Sequence, residues 1–156
     1  MARKILFVGY VPKNLEVKNS IGAKWERMLK KLDLVSLVKD KHIAIKMHLG
    51  GEFGFTTIHP FFTRGLVQAV IKAGAKEVFV TDTHEAVQSA VDRGYTRKVV
   101  GCPIVSIAGT GENFFYTKPI KPPFFKLKEV RMAGEIADAE ALIDFSHVKV
   151  PVTFFL

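Results

Sequence analysis

The sequence predicts a three-layer α/β domain, in which a mainly parallel, Rossmann-like sheet carries helices on both faces. Short apolar runs of strand type alternate with amphipathic segments of roughly ten residues, which is the pattern of βαβ units. Three of these runs end in polar, ionisable residues, at 43–48, 78–84 and 142–147. Because open parallel sheets place ligand sites at the carboxyl ends of their strands, these three ends define the candidate site.

Length and composition fit a single domain over residues 1–156, with 48% hydrophobic and 24% charged residues. The single cysteine, Cys102, excludes an internal disulfide and an iron–sulfur cluster held by this chain alone. No histidine is close to it in sequence, which favours a buried inert thiol over a nucleophile. We expect a reducing, cytoplasmic setting. No apolar run approaches the roughly 20 residues of a membrane helix and no signal-peptide pattern is present, so we expect no membrane partner.

The net charge of +8 is concentrated near the start of the chain. Residues 1–46 carry eleven Lys and Arg against four Asp and Glu. Much of the excess falls on one predicted helix, whose basic residues lie opposite the apolar stripe Ile21, Trp25, Met28, Leu32 and Val35. A solvated helix face is favoured over a nucleic-acid surface, since no nucleic-acid-binding motif accompanies the charge. A face that attracts an anionic partner stays open. The basic residues of this helix are Lys24, Arg27, Lys30 and Lys31.

Caps, breakers and apolar periodicity place the elements of the first half. Asn19 or Ser20 is a suitable cap for the basic helix, while Pro60 suits the first turn of a later helix and Gly74 its end. The loop after the second strand is rich in glycine, which permits a close approach to a ligand. The predicted elements are strands at 4–10, 42–49 and 77–83, and helices over 21–35, 60–73 and from 84 to about 94.

The second half is predicted to finish the sheet. An apolar run at 103–108 is typical of a fourth strand. Three prolines disfavour a central strand at 114–125, so we expect an extended or edge segment whose phenylalanines lie over the domain. A short strand and a helix are expected within 128–137, before a final strand at 141–148.

Histidines and a carboxylate at the strand ends are candidate metal ligands. Imidazole and carboxylate groups bind zinc, iron or nickel, but their spacing here matches no diagnostic motif. Two interpretations stay open, a divalent metal centre at the sheet edge and, favoured, histidines that cap helices or satisfy strand-end carbonyls. The candidate metal ligands are His48, Glu52, His84 and His147.

Lys46 and Asp82 are the candidate catalytic residues. Lys46 interrupts an apolar strand, so its ammonium group must reach solvent or find an anion such as Asp82. The two side chains, with a histidine, form either a proton-transfer group or an ion pair that orients loops, and the ion pair is favoured. A small molecule or anion is the expected ligand. The candidate ligand-binding residues are Gly50, Gly51, Thr83 and Lys149.

Three segments, 43–52, 81–83 and 146–149, together resemble the uncharacterised family named domain of unknown function 362. The resemblance runs from about Lys4 to Lys149, with the segments in the family's order. It implies an α/β domain with a site at these strand ends. Family members often carry or adjoin ferredoxin-like iron–sulfur modules, which implies redox-associated work and a ferredoxin-like partner. The positions that match the family pattern are Lys46, His48, Glu52, Asp82, Thr83, His147 and Lys149.

The sequence departs from the family pattern after Lys149. The family continues with a Gly-His pair and a glycine-rich stretch ending in Lys-Asn, whereas residues 150–156 here read Val-Pro-Val-Thr-Phe-Phe-Leu. We expect either a shortened form of a longer ancestor or a site completed by another chain. The Phe-Phe-Leu segment would suit a contact in a homo-oligomer or pack against the core.

Three functional hypotheses follow, one of which is a truncated, folded domain with no activity of its own, and the sequence leaves open whether the protein is an enzyme. The leading one is a ligand- or metal-binding site at the carboxyl edge of the sheet, with redox-associated work. The alternative is a non-catalytic module that recognises an anionic partner.

Overall fold

The computed structural model describes residues 5–51, 54 and 56–147, and it confirms the predicted α/β class. The described helices are α1 (Ile21–Lys30), α2 (Leu34–Val38), α3 (Pro60–Lys72), α4 (His84–Ala90), α5 (Arg97–Val100) and α6 (Gly134–Asp138). The described strands are β1 (His42–Met47), β2 (Glu77–Asp82), β3 (Ile104–Ser106), β4 (Phe115–Phe124), β5 (Leu127–Ala133) and β6 (Ala141–Phe145). None of the helices within these ranges is long and apolar enough to cross a membrane.

Four strands form a parallel sheet in the order β3-β2-β1-β6, and β4 and β5 form a separate antiparallel hairpin. β1 lies at the centre, with Ile43, Ala44 and Ile45 fully buried, because it has a neighbour on each side. In register, Lys46 of β1 is aligned with Thr81 of β2 and with Asp144 of β6. The carboxyl ends of β1, β2 and β6 therefore meet at one edge.

The helices are divided unequally between the two faces of this sheet. The chain steps from β1 to β2 to β3 in one direction, and right-handed crossovers put α3, α4 and α5 on one face. It then returns past β1 to β6, which puts α6 on the other face. α1 and α2 contact α3 and so thicken the first layer. The second face is more open, and Leu142 on β6 is 53% exposed.

The core lies between the sheet and α3. His59 caps this helix by accepting a hydrogen bond at Nδ1 from the Phe61 N–H (3.2 Å), and Pro60 occupies its first turn as predicted. Ser20 caps α1 in the same way, through the Ala23 N–H (3.2 Å). The buried side chains of α3 are Pro60, Thr63, Leu66, Val67 and Val70, which pack toward Ile43, Ile45 and Val80 of the sheet.

The strand predicted at 4–10 is wrong for residues 5–10. These residues form no strand, and Ile5 and Phe7 are exposed. A short apolar run becomes a strand only when a neighbouring strand pairs with it and one face is covered. The described sheet ends at β3 and β6, and neither pairs with this segment.

The basic helix also differs from its prediction. It breaks after Lys30, and Asp33 starts α2 by accepting a hydrogen bond from the Ser36 N–H (3.4 Å). Lys24 was expected on the solvated face, but it is buried and its Nζ donates to the carbonyls of Gly9 and Val11, each at 2.8 Å. The N-terminal segment covers this side of the helix, so its carbonyls and not water receive the lysine.

Residues 114–125 are extended as expected, but the expectation that their phenylalanines lie over the domain is wrong for two of them. Phe124 and Phe125 are 66% and 88% exposed. The reason is that, among the described strands, β4 pairs only with β5, which places these two residues at the turn of a separate hairpin. Phe114 packs inward, with its ring against Gly134 so closely that a Cβ there would lie 2.5 Å from the ring.

Candidate functional site

The carboxylate of Asp82 joins the ends of β1 and β2. Asp82 is buried, and its Oδ1 lies 2.9 Å from Nζ of Lys46 and accepts the Thr83 N–H, also at 2.9 Å. Its Oδ2 accepts the Leu49 N–H at 2.7 Å. Because Asp82 is the last residue of β2 and β1 lies alongside, one carboxylate holds the side chain of Lys46, the loop after β1 and the start of α4.

Lys46 is partly buried, with 33% of its side chain exposed. Besides Asp82, its ammonium group donates to the carbonyl of Met47. An ammonium group has three N–H donors, so within the described part of the chain one remains without an acceptor at the sheet edge. The ion pair expected between Lys46 and Asp82 is therefore present, and it leaves Lys46 able to contact a ligand.

His48 is an exposed ionisable group at this edge. Its Nδ1 lies 3.9 Å from Oδ2 of Asp82, beyond hydrogen-bond range, and 57% of its side chain is exposed. The buried carboxylate therefore lies close behind an imidazole that faces solvent. Such an imidazole can donate a proton to a ligand or accept one from it.

The loop that follows β1 contains Gly50, Gly51 and Gly54 and is called the glycine loop. Arg93 and Ser89 form hydrogen bonds with its backbone. Gly50 has a φ of +74°, and a Cβ at this position would lie 2.8 Å from the Gly54 Cα, so only glycine suits it. Arg93 donates to the carbonyls of Gly51 (3.0 Å), Ser89 (2.9 Å) and Leu49. The Ser89 hydroxyl lies within hydrogen-bond distance of the carbonyls of Gly50 (3.3 Å) and Ala86 (3.2 Å). These bonds fix the backbone of the loop next to His48.

A buried tyrosine lies close to Arg93 and Thr57 beneath the same loop. Burial raises the pKa of Tyr95 above its usual value of 10.0, while the hydroxyls of Thr57 and Thr63 and the charge of Arg93 oppose that shift. In the described part of the chain, the Tyr95 hydroxyl and Nε of Arg93 are buried without a hydrogen-bond partner. Tyr95 thus lies in the core beside Arg93 as a neutral phenol.

The start of α4 contributes Thr83 and His84. Thr83 is the N-cap residue, but its side chain makes no capping hydrogen bond and is exposed, so its hydroxyl is available. Nε2 of His84 lies 2.7 Å from Nε2 of Gln88, one turn along the helix. His84 is therefore engaged within α4.

His147 lies just beyond β6, beside an apolar crevice of about 310 Å³. Trp25 and Phe145 stack in this crevice with ring centroids 5.4 Å apart, and Phe62 lines it as well. Since Phe145 is aligned with Met47, the crevice flanks the same sheet edge. Over residues 5–51, 54 and 56–147, no three or more His, Cys, Asp or Glu side chains are grouped to hold a metal ion.

The structure thus brings together four of the predicted site residues, Lys46, His48, Asp82 and Thr83, with Gly50 and Gly51 in the adjoining loop. His84 and His147 lie at the ends of the neighbouring elements. Glu52 and Lys149 lie outside the described residues.

The family model described as "Domain of unknown function (DUF362)" matches residues 43–151, more than two thirds of the chain. The chain belongs to this family. The matched DUF362 region begins at the start of β1 and includes all four strands of the parallel sheet, with Lys46, His48 and Asp82. No curated protein and no solved structure is detectably similar to the chain.

Sequence reasoning missed Arg93 and Ser89, which support the DUF362 glycine loop from α4 and the turn after it. An arginine just beyond the end of a short helix, four residues after a serine, carries no signal of its own. Its role arises because α4 begins at the carboxyl end of β2, beside the loop that leaves β1. The available signal was the glycine loop itself, since a tightly turned backbone needs partners for its carbonyls.

Proposed function

We propose that this DUF362 chain binds a small anionic molecule at the carboxyl edge of its sheet, with Lys46 and His48 as the contacting residues. The observation that carries the proposal is the position of Asp82, 2.9 Å from Nζ of Lys46 and 3.9 Å from Nδ1 of His48. The buried carboxylate holds the Lys46 ammonium and lies behind the exposed His48 imidazole, so both side chains are available at the same edge.

The groups left available at this edge are donors. Lys46 retains one N–H, His48 exposes its ring and the hydroxyl of Thr83 has no capping bond. Ammonium, imidazole and hydroxyl donors suit a carboxylate or phosphate oxygen. Among the described residues, no atom beyond its chain neighbours lies within 4 Å of a Cβ built at Gly51, so its exposed backbone leaves room for a ligand.

Asp82 acts in this proposal as a positioning residue. Its two oxygens already receive the N–H groups of Leu49 and Thr83 and the ammonium of Lys46. Both oxygens of this carboxylate are therefore engaged by groups of the fold. Catalysis by Lys46 and Asp82 stays a prediction, as does the redox-associated work implied by the family resemblance.

A divalent metal is the second candidate ligand, because His48 lies four residues before Glu52 in the glycine loop. The same edge would then bind zinc through an imidazole and a carboxylate. The anion is favoured because the free groups of Lys46 and Thr83 are hydrogen-bond donors and Asp82 is already engaged.

Thermal unfolding of the full chain with inorganic phosphate, citrate or Zn²⁺ tests the proposal. A ligand at ten times its Kd stabilises the folded state by about 1.4 kcal/mol, which raises Tm by about 3–6 °C. We expect such a rise with phosphate or citrate and its loss in His48→Gln, an exposed position where the fold should persist. Stabilisation by Zn²⁺ alone would replace the anion by a metal.

His42→Gln is the matched control. His42 lies at the amino end of the same strand, with its Nδ1 3.2 Å from Glu77, and is partly exposed. It should keep the full response to phosphate or citrate. An equal loss in both histidine variants, or no response to either anion at high concentration, would overturn the proposal.

A further inference from the structure

The β4–β5 hairpin is a projecting, strongly basic element outside the candidate site. Its single described carboxylate is Glu129, and the turn that joins its strands is made by Phe125 and Lys126, flanked by the paired residues Phe124 and Leu127. A ten-residue strand extends roughly 33 Å, so the turn lies far from the base of the hairpin. The exposed cations of the hairpin are Lys118, Lys121, Lys126, Lys128 and Arg131.

The base of the hairpin is fixed to the domain. The Tyr116 hydroxyl donates to Asp138 of α6 at 3.2 Å, and this bond raises the pKa of Tyr116. The guanidinium of Arg131 lies over the ring of Phe115, 4.4 Å from its centroid. The hairpin is thus attached to the domain at its base, and its turn lies away from the domain.

The turn itself exposes two phenylalanine rings. Phe124 and Phe125 are 66% and 88% exposed and meet edge to face, with centroids 4.9 Å apart. Phe125 also has a φ of +52°, a left-handed conformation that glycine or asparagine adopts at less cost. Phe125 therefore carries backbone strain without gaining burial within the described fold. Such a residue is explained when its ring is buried in a complex.

The prolines of β4 reduce the cost of taking this turn out of water. Pro119, Pro122 and Pro123 have no N–H groups, so the strand beside the turn has three fewer donors to desolvate. When the turn enters an apolar surface, that surface therefore contacts aromatic rings and comparatively few unpaired backbone N–H groups. Lysines on both sides of the turn remain able to contact charged groups around it.

We propose that the β4–β5 hairpin docks on an anionic lipid bilayer, with Phe124, Phe125 and Leu127 entering the headgroup region and the flanking lysines contacting lipid phosphates. Five cations against one carboxylate complement an anionic surface. The same charge opposes docking on a second copy of this chain, whose net charge is +8. Two perpendicular rings on one turn also differ from the successive parallel faces on which nucleic-acid bases stack.

This proposal departs from the expectation of no membrane partner, which rested on the lack of a long apolar segment. Peripheral binding needs no spanning helix. It needs a small apolar insertion together with basic residues, and binding strengthens with anionic lipid and weakens with salt.

Flotation of the full chain with vesicles tests the proposal. We expect binding to phosphatidylcholine vesicles that contain about 30% anionic phosphatidylglycerol. We expect little binding to vesicles of pure phosphatidylcholine. The double variant Phe124→Ser/Phe125→Ser should bind at least about tenfold more weakly. Lys121→Glu/Lys126→Glu should lose a similar factor and much of the salt dependence.

Two control variants make the same kinds of change outside the hairpin. Val35→Ser/Leu37→Ser removes two exposed apolar side chains from α2, and Lys30→Glu/Lys72→Glu reverses two exposed charges on α1 and α3. Both controls should lose much less vesicle binding than the hairpin variants, with circular dichroism confirming that each variant folds. Equal losses in hairpin and control variants would show non-specific attraction and overturn the proposal.

A fluorescent reporter gives an independent reading. Phe125→Trp should shift its emission to shorter wavelength with anionic vesicles and be quenched by brominated lipid tails, whereas Trp25 in the parent chain should not respond. Absence of quenching would exclude insertion of the turn. Binding of a single-stranded oligonucleotide or an acidic protein that depends on Phe124 and Phe125, without vesicle binding, would overturn the proposal in favour of that partner.

Discussion

Nζ of Lys46 lies 2.9 Å from Oδ1 of Asp82, and this ion pair links two adjacent parallel strands at the edge where their carboxyl ends meet. The same carboxylate accepts the N–H groups of Leu49 and Thr83. One side chain therefore sets the position of a cation, a glycine loop and a helix start. The candidate site depends on this arrangement.

Asp82→Asn should lower the free energy of unfolding by about 2 kcal/mol. This is less than the usual cost of breaking a fully buried ion pair, because the side chain of Lys46 is one-third exposed. The amide NH₂ would face either the Leu49 N–H or the ammonium of Lys46, so donors would oppose donors. Urea unfolding measures the change. Asp144→Asn is the control, since this exposed aspartate is aligned with Lys46 on the other side, and it should change stability by less than about 0.5 kcal/mol.

Gly50→Ala should be strongly destabilising, by at least about 2 kcal/mol, because alanine is strained at a φ of +74° and its Cβ would lie 2.8 Å from the Gly54 Cα. Gly51→Ala, one residue later, has open space for the Cβ and should stay within about 0.5 kcal/mol of the parent chain. Thermal or urea unfolding of both variants makes the comparison. Similar losses at the two positions would contradict the described loop.

Lys24→Met should release the N-terminal segment from α1, because the ammonium that binds the carbonyls of Gly9 and Val11 is lost. We expect a loss of about 1–2 kcal/mol and faster tryptic cleavage at Lys13. Lys30→Met removes an exposed lysine from the same helix and should leave cleavage at Lys13 unchanged. An unchanged cleavage rate in Lys24→Met would show that these hydrogen bonds do not hold the segment.

Stability above pH 9 should report on Cys102. Burial raises the pKa of the Cys102 thiol from 9.0 to about 11, so the folded chain keeps the proton that the unfolded chain releases. This contribution is fully present below pH 9 and is lost as the pH rises toward 11, with a slope of up to about 1.4 kcal/mol per pH unit. Cys102→Ala should lack this part of the slope. Parallel curves for the two chains would contradict a buried, protonated thiol.

The sheet and the pairing of its strand ends could be predicted because both depend on local patterns. Apolar runs mark β1 and β2, and parallel strands necessarily bring their carboxyl ends to one edge, so Lys46 and Asp82 could be placed together. The glycine loop was likewise visible as a turn. These features follow from period and composition, without knowledge of distant contacts.

The remaining features depend on contacts between distant segments. The sequence pattern indicates a surface position for Lys24, but the N-terminal segment covers this residue. The pattern is typical of a helix-end cation at Arg93, but the glycine loop lies over its side chain. The sequence predicts that Phe125 covers the domain. Its exposure depends on the pairing of β4 with β5 in a separate hairpin, which no local pattern indicates. Charged side chains with long stems and aromatics at turns are therefore where sequence reasoning failed.

Nuclear magnetic resonance of the histidine side chains, during titration of the full chain with inorganic phosphate, tests the central claim most directly. Each ring nitrogen reports its own surroundings, so His48 at the candidate site and His42 at the opposite end of β1 can be compared in one sample. The proposed site predicts a saturable shift of the His48 resonances that is absent at His42 and is weakened in Lys46→Met. Resonances of His48 that stay unchanged, or that move no more than those of His42, would contradict it.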